Sequence, residues 1–264
     1  EIDWAKSNGL IPFCIIATSG TTVRGSFDPI REIAQIANDQ KIWLHVDAAW
    51  GGSCLFSSSL RRLMDGVEMA DSVCWDAHKM MGLPLICSAF IIKNPQVLKN
   101  ICKHTESAHY LFHGDSKEQD LGRYSLQCGR RNDSLKLWIT WRELGDSGWA
   151  KLVEGYCRLA GYFEHKIGET PKLELMSSRE WTNVCFRYNP GQLDDDALNQ
   201  LNSELRARLM KEGKFLVSRS NIGHDVVIRA VIANPGITEE TIDSLIEAVI
   251  LHGKEILSSI PANY

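Results

Sequence analysis

The 264-residue sequence has few of the features that mark membrane-spanning, secreted or nucleic-acid-binding proteins. Its longest apolar run, near residues 84–92, is far shorter than the ~20 residues that a membrane-spanning helix needs. Its first residues, EIDWAKSNGL, lack the basic and then apolar pattern of a signal peptide. The net charge is −4, and the sequence has no long cluster of lysine and arginine. We therefore expect neither a membrane nor a nucleic acid as a partner.

Cysteine motifs are also missing. Eight cysteines are scattered along the chain, with no CxxC pair and no spacing that is typical of metal ligands. Scattered cysteines of this kind are typical of a reducing compartment, so we expect a cytoplasmic protein. The sequence begins without a methionine, in what reads as the approach to a strand. This start favours a piece of a longer protein.

The composition is that of a soluble globular protein. With 44% hydrophobic and 23% charged residues, the chain is long enough for one large domain or two ordinary ones. In the first half, two apolar, β-branched segments, residues 11–18 and 41–49, are typical of buried strands. Residues 28–40 between them have apolar side chains at helical intervals, which predicts a helix. Asp28 is its expected cap, and Pro29 is its expected first residue.

Two strands joined by one helix form a βαβ unit, which favours parallel pairing and a right-handed crossover. Residues 71–75 and 86–93 supply two further predicted strands. The first part of the chain is therefore predicted to be an α/β sheet with helices on both faces.

From about Asp133 the pattern changes to that of an α+β domain. The predicted helices and strands are residues 134–145, 149–169, 182–188, 226–234 and 238–257, of which the last is a helix opened by Thr238. We predict two domains, residues 1–145 and 146–264.

Asp47 follows the apolar strand sequence IWLHV, where the carboxyl ends of parallel strands form crevices. The simplest alternative is an aspartate that caps the next turn. His45 lies two residues earlier, but no third ligand stands at a recognisable spacing, so we predict no metal. Lys79 comes just after the strand-like SVCW, and a lone lysine is most often a solvated surface residue. Together, however, the two side chains suit one chemistry: a carboxylate that keeps a pyridine nitrogen protonated, and an amine that forms a Schiff base with an aldehyde.

Several segments, in order, resemble the pyridoxal-phosphate-dependent group II amino acid decarboxylases, especially the branch of glutamate and cysteine sulfinate decarboxylases. The core of the resemblance is HVDAAWGG (45–52), HKMMG (78–82) and CSAFIIK (87–93). The flanking segments are ATSGTTVRGSFDPIREIA (17–34), YLFHGD (110–115), LQCGRRNDSLKLW (126–138), TNVCF (182–186) and IRAVIANPGIT (228–238). The resemblance implies the later part of a fold-type I, aspartate aminotransferase-like large domain, followed by a small C-terminal domain.

The resemblance also implies roles around the cofactor, pyridoxal 5′-phosphate. Lys79 would hold the cofactor as a Schiff base, and Asp47 would pair with its ring nitrogen. Ala49 would pack on one face of the ring. Thr18 would contact the phenolic edge of the ring, and His78 would lie beside the phosphate.

On the substrate side, Arg229 would bind a substrate carboxylate, and Arg130 is a weaker candidate for the same region. Without the resemblance, Arg229 reads as an exposed strand arginine. In the family, a loop tyrosine returns a proton to the substrate, and Tyr124 either takes that role or is an exposed loop residue. Asp76 and Ala77 replace the Asn-Pro of glutamate decarboxylases, a change that we expect to be tolerated.

The implied activity is α-decarboxylation of a small acidic amino acid, namely glutamate, aspartate or cysteine sulfinate, by a homodimer with its active site at the interface. Two alternatives stay open: another fold-type I reaction, such as that of an aminotransferase or a sulfur lyase, and a non-catalytic partial chain. The complete enzymes are longer. Their upstream part would carry most of the phosphate-binding groups and a histidine stacked over the ring.

Overall fold

The structure, a computed structural model, describes residues 1–102, 121–127, 129–191 and 193–259. Within these ranges the chain forms two four-stranded sheets with helices packed against them. The segment YLFHGD (110–115) and Cys128, which contribute to the resemblance, lie outside the described residues. None of the helices in the described ranges is long and apolar enough to span a membrane.

The first sheet has the strand order β1-β2-β3-β4. Its strands are β1 (Cys14–Thr18), β2 (Trp43–Asp47), β3 (Ser72–Asp76) and β4 (Ser88–Ile92). The first three strands are parallel, and β4 is antiparallel to β3. The predicted βαβ unit is confirmed, and the parallel strands deliver their carboxyl ends to one edge, where crevices form.

The helices of this part are α1 (Ile2–Ser7), α2 (Ile30–Gln40), α3 (Ala77–Met80) and α4 (Pro95–Ile101). Short 3₁₀ helices cover Gly51–Phe56, Arg61–Met64, Val67–Met69 and Leu121–Tyr124. The helical spacing that predicted α2 places Ile30, Ala34 and Ala37 on one buried face.

The predicted cap of α2 is wrong. Pro29, not Asp28, is the N-cap, and the helix begins at Ile30, where no described side chain caps it. The carboxylate of Asp28 instead accepts the backbone N–H of Thr18 at 2.7 Å. Asp28 therefore holds the carboxyl end of β1 rather than the start of the helix.

The two helices predicted between residues 134 and 169 form one element, α5 (Asp133–Glu169). It is kinked at Gly145, whose backbone (φ 61°, ψ 179°) is not helical. Glycine accepts this conformation because it has no Cβ. The domain boundary predicted between residues 145 and 146 falls at this kink, and it stays a prediction.

The second sheet has the order β5-β6-β8-β7 and is antiparallel throughout. Its strands are β5 (Leu173–Leu175), β6 (Asn183–Tyr188), β7 (Ser218–Ile222) and β8 (Asp225–Val231), and its helices are α6 (Asp195–Glu212) and α7 (Glu239–Ser259). The sequence pattern does not predict β5, α6 or β7. It does predict α7, where the hydroxyl oxygen of Thr238 accepts the N–H of Thr241 at 3.3 Å.

Two contacts hold the turn after β2, one with the second sheet and one with the end of β1. The side chain of Asn183, which is 2% exposed, accepts the indole N–H of Trp50 at 2.8 Å and donates to the carbonyl of Val23 at 2.9 Å. Gly51 packs on the end of β1, where an added Cβ would lie 2.5 Å from the carbonyl oxygen of Ser19. Only glycine permits this approach, so the turn that follows Asp47 has a fixed position between the two sheets.

Candidate active site

The carboxyl ends of β1 and β2 bring two of the predicted cofactor residues together. Thr18 and Asp47 are partners in the β1–β2 register, and Asp47 is opposite Cys74 in β3. The N–H of Ser19 donates to the carbonyl of Asp47 at 2.7 Å. Thr18 and Asp47, two of the positions at which the sequence predicts cofactor contacts, are therefore adjacent in the structure.

The carboxylate of Asp47 caps the following turn with one oxygen only. Its Oδ1 accepts the N–H of Ala49 at 3.1 Å and the thiol of Cys74 at 3.4 Å. Its Oδ2 has no hydrogen-bond partner among the residues that the structure describes. Burial raises the pKa of the Cys74 thiol, and the nearby charge of Asp47 raises it further. The turn role and a cofactor role for Asp47 are therefore compatible, because they use different oxygens.

Lys79 lies one turn beyond the end of β3 and is paired rather than isolated. Its Nζ is 3.0 Å from Oδ2 of Asp76, and its side chain is 42% exposed. Burial alone would raise the pKa of Asp76, but hydrogen bonds from Ser88 and Lys79 lower it below its usual value. The N–H of Asp76 donates to the carbonyl of Ala49 at 3.3 Å, which joins this pair to the turn after β2. The amine of Lys79 is therefore both oriented and accessible.

His78 is held by the strand that follows it. Its Nδ1 lies 3.0 Å from the carbonyl oxygen of Cys87, and its Nε2 is 3.9 Å from Oδ2 of Asp76. These contacts fix the ring next to Lys79. Its predicted place beside the cofactor phosphate stays a prediction.

A cleft of about 460 Å³ brings Lys79 and Arg229 together. It is lined by Trp50, Lys79, Arg206, Leu216, Val217, Ser218, Arg229, Val231 and Ala233. Arg229 belongs to the second sheet, so the cleft lies between the two parts of the chain. Two residues separated by 150 positions in the sequence thus face one cavity.

Arg229 is half-buried, not the exposed strand arginine of the simpler interpretation. Its Nη1 donates to the hydroxyl of Ser218 at 3.0 Å, and its Nε is buried without a hydrogen-bond partner among the described residues. Burial lowers the pKa of its guanidinium because the charged form is disfavoured away from water. A half-buried guanidinium with unused donors is suited to bind an anion.

The structure does not bring every candidate into this cleft. Among the described residues that line it, Lys79 and Arg229 are the only predicted site residues, and the others, Thr18, Asp47, Ala49, His78 and Arg130, are not part of the lining. Arg130 is exposed. Tyr124 is half-buried at the end of a short 3₁₀ helix. Their predicted roles stay predictions.

Three residues of the site were missed as functional candidates. In the sequence, Asp76 stands out only as a departure from relatives. Trp50 belongs to the motif HVDAAWGG, three residues after Asp47, and this nearness is the signal that could have identified it. Arg206 had no sequence signal, because α6 itself was not identified.

His45 has local partners that explain its position. Its Nδ1 is 2.8 Å from the hydroxyl of Ser72, and its ring stacks on Phe90 with 5.8 Å between the centroids. Within the described ranges, no group of three or more His, Cys, Asp and Glu side chains could hold a metal ion.

Comparison with known proteins decides the family. The sequence profile described as "Pyridoxal-dependent decarboxylase conserved domain" matches residues 1–189. The chain belongs to the pyridoxal-dependent decarboxylase family. This result confirms the resemblance to the group II enzymes, and it confirms pyridoxal phosphate as the cofactor of the family.

Named members of the pyridoxal-dependent decarboxylase family support the same branch. The chain is 36% identical to cysteine sulfinic acid decarboxylase of Homo sapiens, over 97% of this chain and 54% of that protein. It is also 36% identical to acidic amino acid decarboxylase GADL1 of Mus musculus, over 97% of this chain and 48% of that protein. The chain therefore spans about half the length of the curated relatives that it matches.

Solved structures confirm the fold class. The crystal structure of mouse CSAD superposes with a TM-score of 0.90 and 35% identity, over 96% of this chain and 54% of that chain. Oryza sativa TDC, solved with PLP and tryptamine, also gives a TM-score of 0.90, with 27% identity over 97% of this chain and 53% of that chain. The fold is thus that of the fold-type I decarboxylases, as predicted.

The side chains at this edge fit pyridoxal phosphate. The group needs a reachable primary amine, and Lys79 lines the cleft with its side chain 42% exposed. It needs a carboxylate for its ring nitrogen, and Asp47 has an oxygen that the described hydrogen bonds leave unused. Thr18 and Ala49 stand beside Asp47 by register and by hydrogen bond. These residues would hold the cofactor.

Proposed function

We propose that this protein is a pyridoxal-phosphate-dependent α-decarboxylase of a small acidic amino acid. The observation that carries the proposal is the cleft shared by Lys79 and Arg229, which Trp50 of the turn after Asp47 also lines. An amine that can bind a cofactor aldehyde and a guanidinium that can bind a substrate carboxylate face the same space.

Each side chain has a distinct task in this reaction. When bound, pyridoxal phosphate draws electrons away from the carbon that loses carbon dioxide. Asp47 offers its free oxygen to the protonated ring nitrogen and so keeps the positive charge there. Asp76 accepts a hydrogen bond from Nζ of Lys79 at 3.0 Å and orients the amine. Arg229 binds and orients a carboxylate of the substrate.

The substrate class is supported by the named relatives, not by the fold. Cysteine sulfinic acid decarboxylase and acidic amino acid decarboxylase GADL1 are the curated relatives at 36% identity. TDC from Oryza sativa, a structure with tryptamine, superposes as closely as mouse CSAD does. A fold shared by enzymes with different substrates leaves the choice to the side chains of the site. The three basic side chains of the cleft favour an acidic substrate.

A carbon dioxide release assay tests this function. The full-length protein, loaded with pyridoxal phosphate, is offered glutamate, aspartate, cysteine sulfinate, glutamine and tryptophan, each labelled at the α-carboxyl carbon. We expect release from at least one acidic amino acid, with a kcat/KM well above that for the neutral ones. Transfer of the amino group to an oxo acid without release of carbon dioxide would instead identify an aminotransferase.

The assembly we propose is a homodimer in the cytoplasm. Ile11, Phe13 and Ile16 are 87%, 81% and 66% exposed on and beside β1, an edge strand of the first sheet. Exposed apolar side chains at an unpaired strand edge favour cover by further polypeptide. The cysteines in the described part of the chain are all free thiols, which supports a reducing compartment that cell fractionation can check.

Sedimentation velocity tests the assembly. At micromolar concentration we expect the full-length protein to sediment as a dimer, and these 264 residues alone to associate or precipitate. A stable, well-folded monomer in both experiments would contradict the dimer.

A further inference from the structure

The cleft beside Lys79 has an excess of positive charge. Lys79, Arg206 and Arg229 line it, and none of the described residues that line it is a carboxylate. Lys79 is paired with Asp76, which lies next to the cleft. Neither arginine has an ion-pair partner among the residues described by the structure. Two half-buried guanidinium groups without counter-ions form a site for anions, because an uncompensated charge away from water is costly.

Arg206 is held in a position to bind such an anion. It projects from α6, and its Nε donates to the carbonyl of Val217 at 3.1 Å. This hydrogen bond anchors the guanidinium by one edge. Its two Nη groups have no partner within the described ranges. Two free parallel N–H donors on a rigid plane match the two oxygens of a carboxylate or a sulfinate.

Arg229 can bind only one acid group. Its Nη1 donates to the hydroxyl of Ser218, so its remaining donors are enough for a single carboxylate. An amino acid with a neutral side chain carries one carboxylate and would leave Arg206 without a counter-ion. An acidic amino acid carries two acid groups and would pair with both arginines.

We propose that Arg206 is a specificity-determining residue that binds the side-chain acid group of the substrate, while Arg229 binds its α-carboxylate. This inference rests on the proposed function. It assigns the preference for acidic amino acids to one side chain of α6. A neutral analogue is rejected because its binding leaves the charge of Arg206 unpaired in the cleft.

Substitution of Arg206 tests the inference by kinetics. We expect Arg206→Gln to lower kcat/KM for the preferred acidic substrate about 10- to 100-fold, mainly through KM, because a charge-assisted pair is lost. The kcat/KM for the corresponding amide should rise, because glutamine removes the unpaired charge that disfavours a neutral analogue. The retention of pyridoxal phosphate should stay unchanged. Arg206→Lys should keep part of the preference for acidic substrates, since lysine keeps the charge but lacks the two parallel N–H donors of the guanidinium. Arg219→Gln is the matched control, because Arg219 is an exposed arginine of β7 that bonds the hydroxyl of Ser203 at 3.2 Å.

A binding measurement separates this inference from the proposed function. Calorimetry on the cofactor-free protein compares glutarate, a dicarboxylate, with pentanoate, the monocarboxylate of the same length. We expect wild type and Arg219→Gln to bind glutarate about 10-fold or more tightly than pentanoate, and Arg206→Gln to bind both alike. This comparison needs neither cofactor nor turnover, so it decides the inference even if no amino acid is decarboxylated.

Three results would overturn the inference. The first is a wild-type protein that does not distinguish glutarate from pentanoate. The second is an Arg206→Gln variant that loses acidic and neutral substrates equally, which would indicate a structural role. The third is a variant that loses cofactor retention but keeps the acidic preference, which would make Arg206 a phosphate ligand. In the last two cases the decarboxylase assignment stands.

Discussion

Replacement of Lys79 by alanine is expected to abolish covalent retention of pyridoxal phosphate and to reduce carbon dioxide release to the background of the assay. The amine is the only group of this side chain that can bind an aldehyde, and alanine removes it. The fold should survive. Lys79 is 42% exposed, and an ion pair this accessible to water, like that with Asp76, contributes at most about 1 kcal/mol to the free energy of unfolding.

Two variants separate the covalent role of Lys79 from its charge. Lys79→Arg keeps a cation beside Asp76 but cannot form the Schiff base, and we expect it to be as inactive as alanine. Lys93→Ala removes another lysine of the same sheet region, whose Nζ donates to the carbonyl of Glu68 at 3.2 Å, and should leave activity unchanged. Retention is read from the visible absorption of bound cofactor and from mass spectrometry after borohydride reduction. Near-normal turnover in Lys79→Ala would contradict the assignment of Lys79 as the cofactor-binding lysine.

Replacement of Asp47 by asparagine is expected to lower kcat by on the order of 10²-fold or more and to weaken cofactor binding. The reason is the loss of the negative charge that keeps the ring nitrogen positive. Asparagine is nearly isosteric, and its carbonyl oxygen can still accept the N–H of Ala49, which Oδ1 accepts at 3.1 Å in the native turn. The free energy of unfolding should therefore stay close to that of the native protein.

Asp47→Ala provides the comparison. It removes the charge and the turn hydrogen bond together, so we expect the same loss of kcat with a further loss of about 1 kcal/mol in stability. Steady-state kinetics across pH and urea unfolding measure the two effects separately. If Asp47→Asn kept full activity at every pH while Asp47→Ala lost only stability, Asp47 would be a turn residue and nothing more.

Local sequence determined the elements that present the cofactor residues. The apolar runs at residues 11–18, 41–49 and 71–75 predicted the strands that end in the structure at Thr18, Asp47 and Asp76, and α2 followed from its helical spacing. Because a βαβ unit places parallel strands side by side, the nearness of Thr18 to Asp47 was contained in the sequence pattern. The motif around Lys79 added the chemistry. These signals are short in range, so one sequence is enough to read them.

The cap of α2 shows where local sequence stops being sufficient. Asp28 stands before a proline and a helix, which is a good capping position by pattern. In the structure it bonds the N–H of Thr18 instead. The short side chain of Asp28 can bond only a backbone donor that lies within its reach, and this depends on where β1 ends in space. The sequence pattern does not contain the distance between Asp28 and the end of β1.

The sequence by itself determined the family, the parallel strands, and Lys79 and Asp47 as the candidate cofactor residues. Only the tertiary structure decided that Arg229 and Arg206 share a cleft with Lys79, and that Asp76 is the partner of Lys79. Arg206 and Arg229 come from a helix and a strand of the second sheet, more than a hundred residues beyond Lys79. Their convergence results from contacts between the two parts of the chain, such as that of Trp50 with Asn183, which join segments far apart in the sequence. No local spacing encodes it.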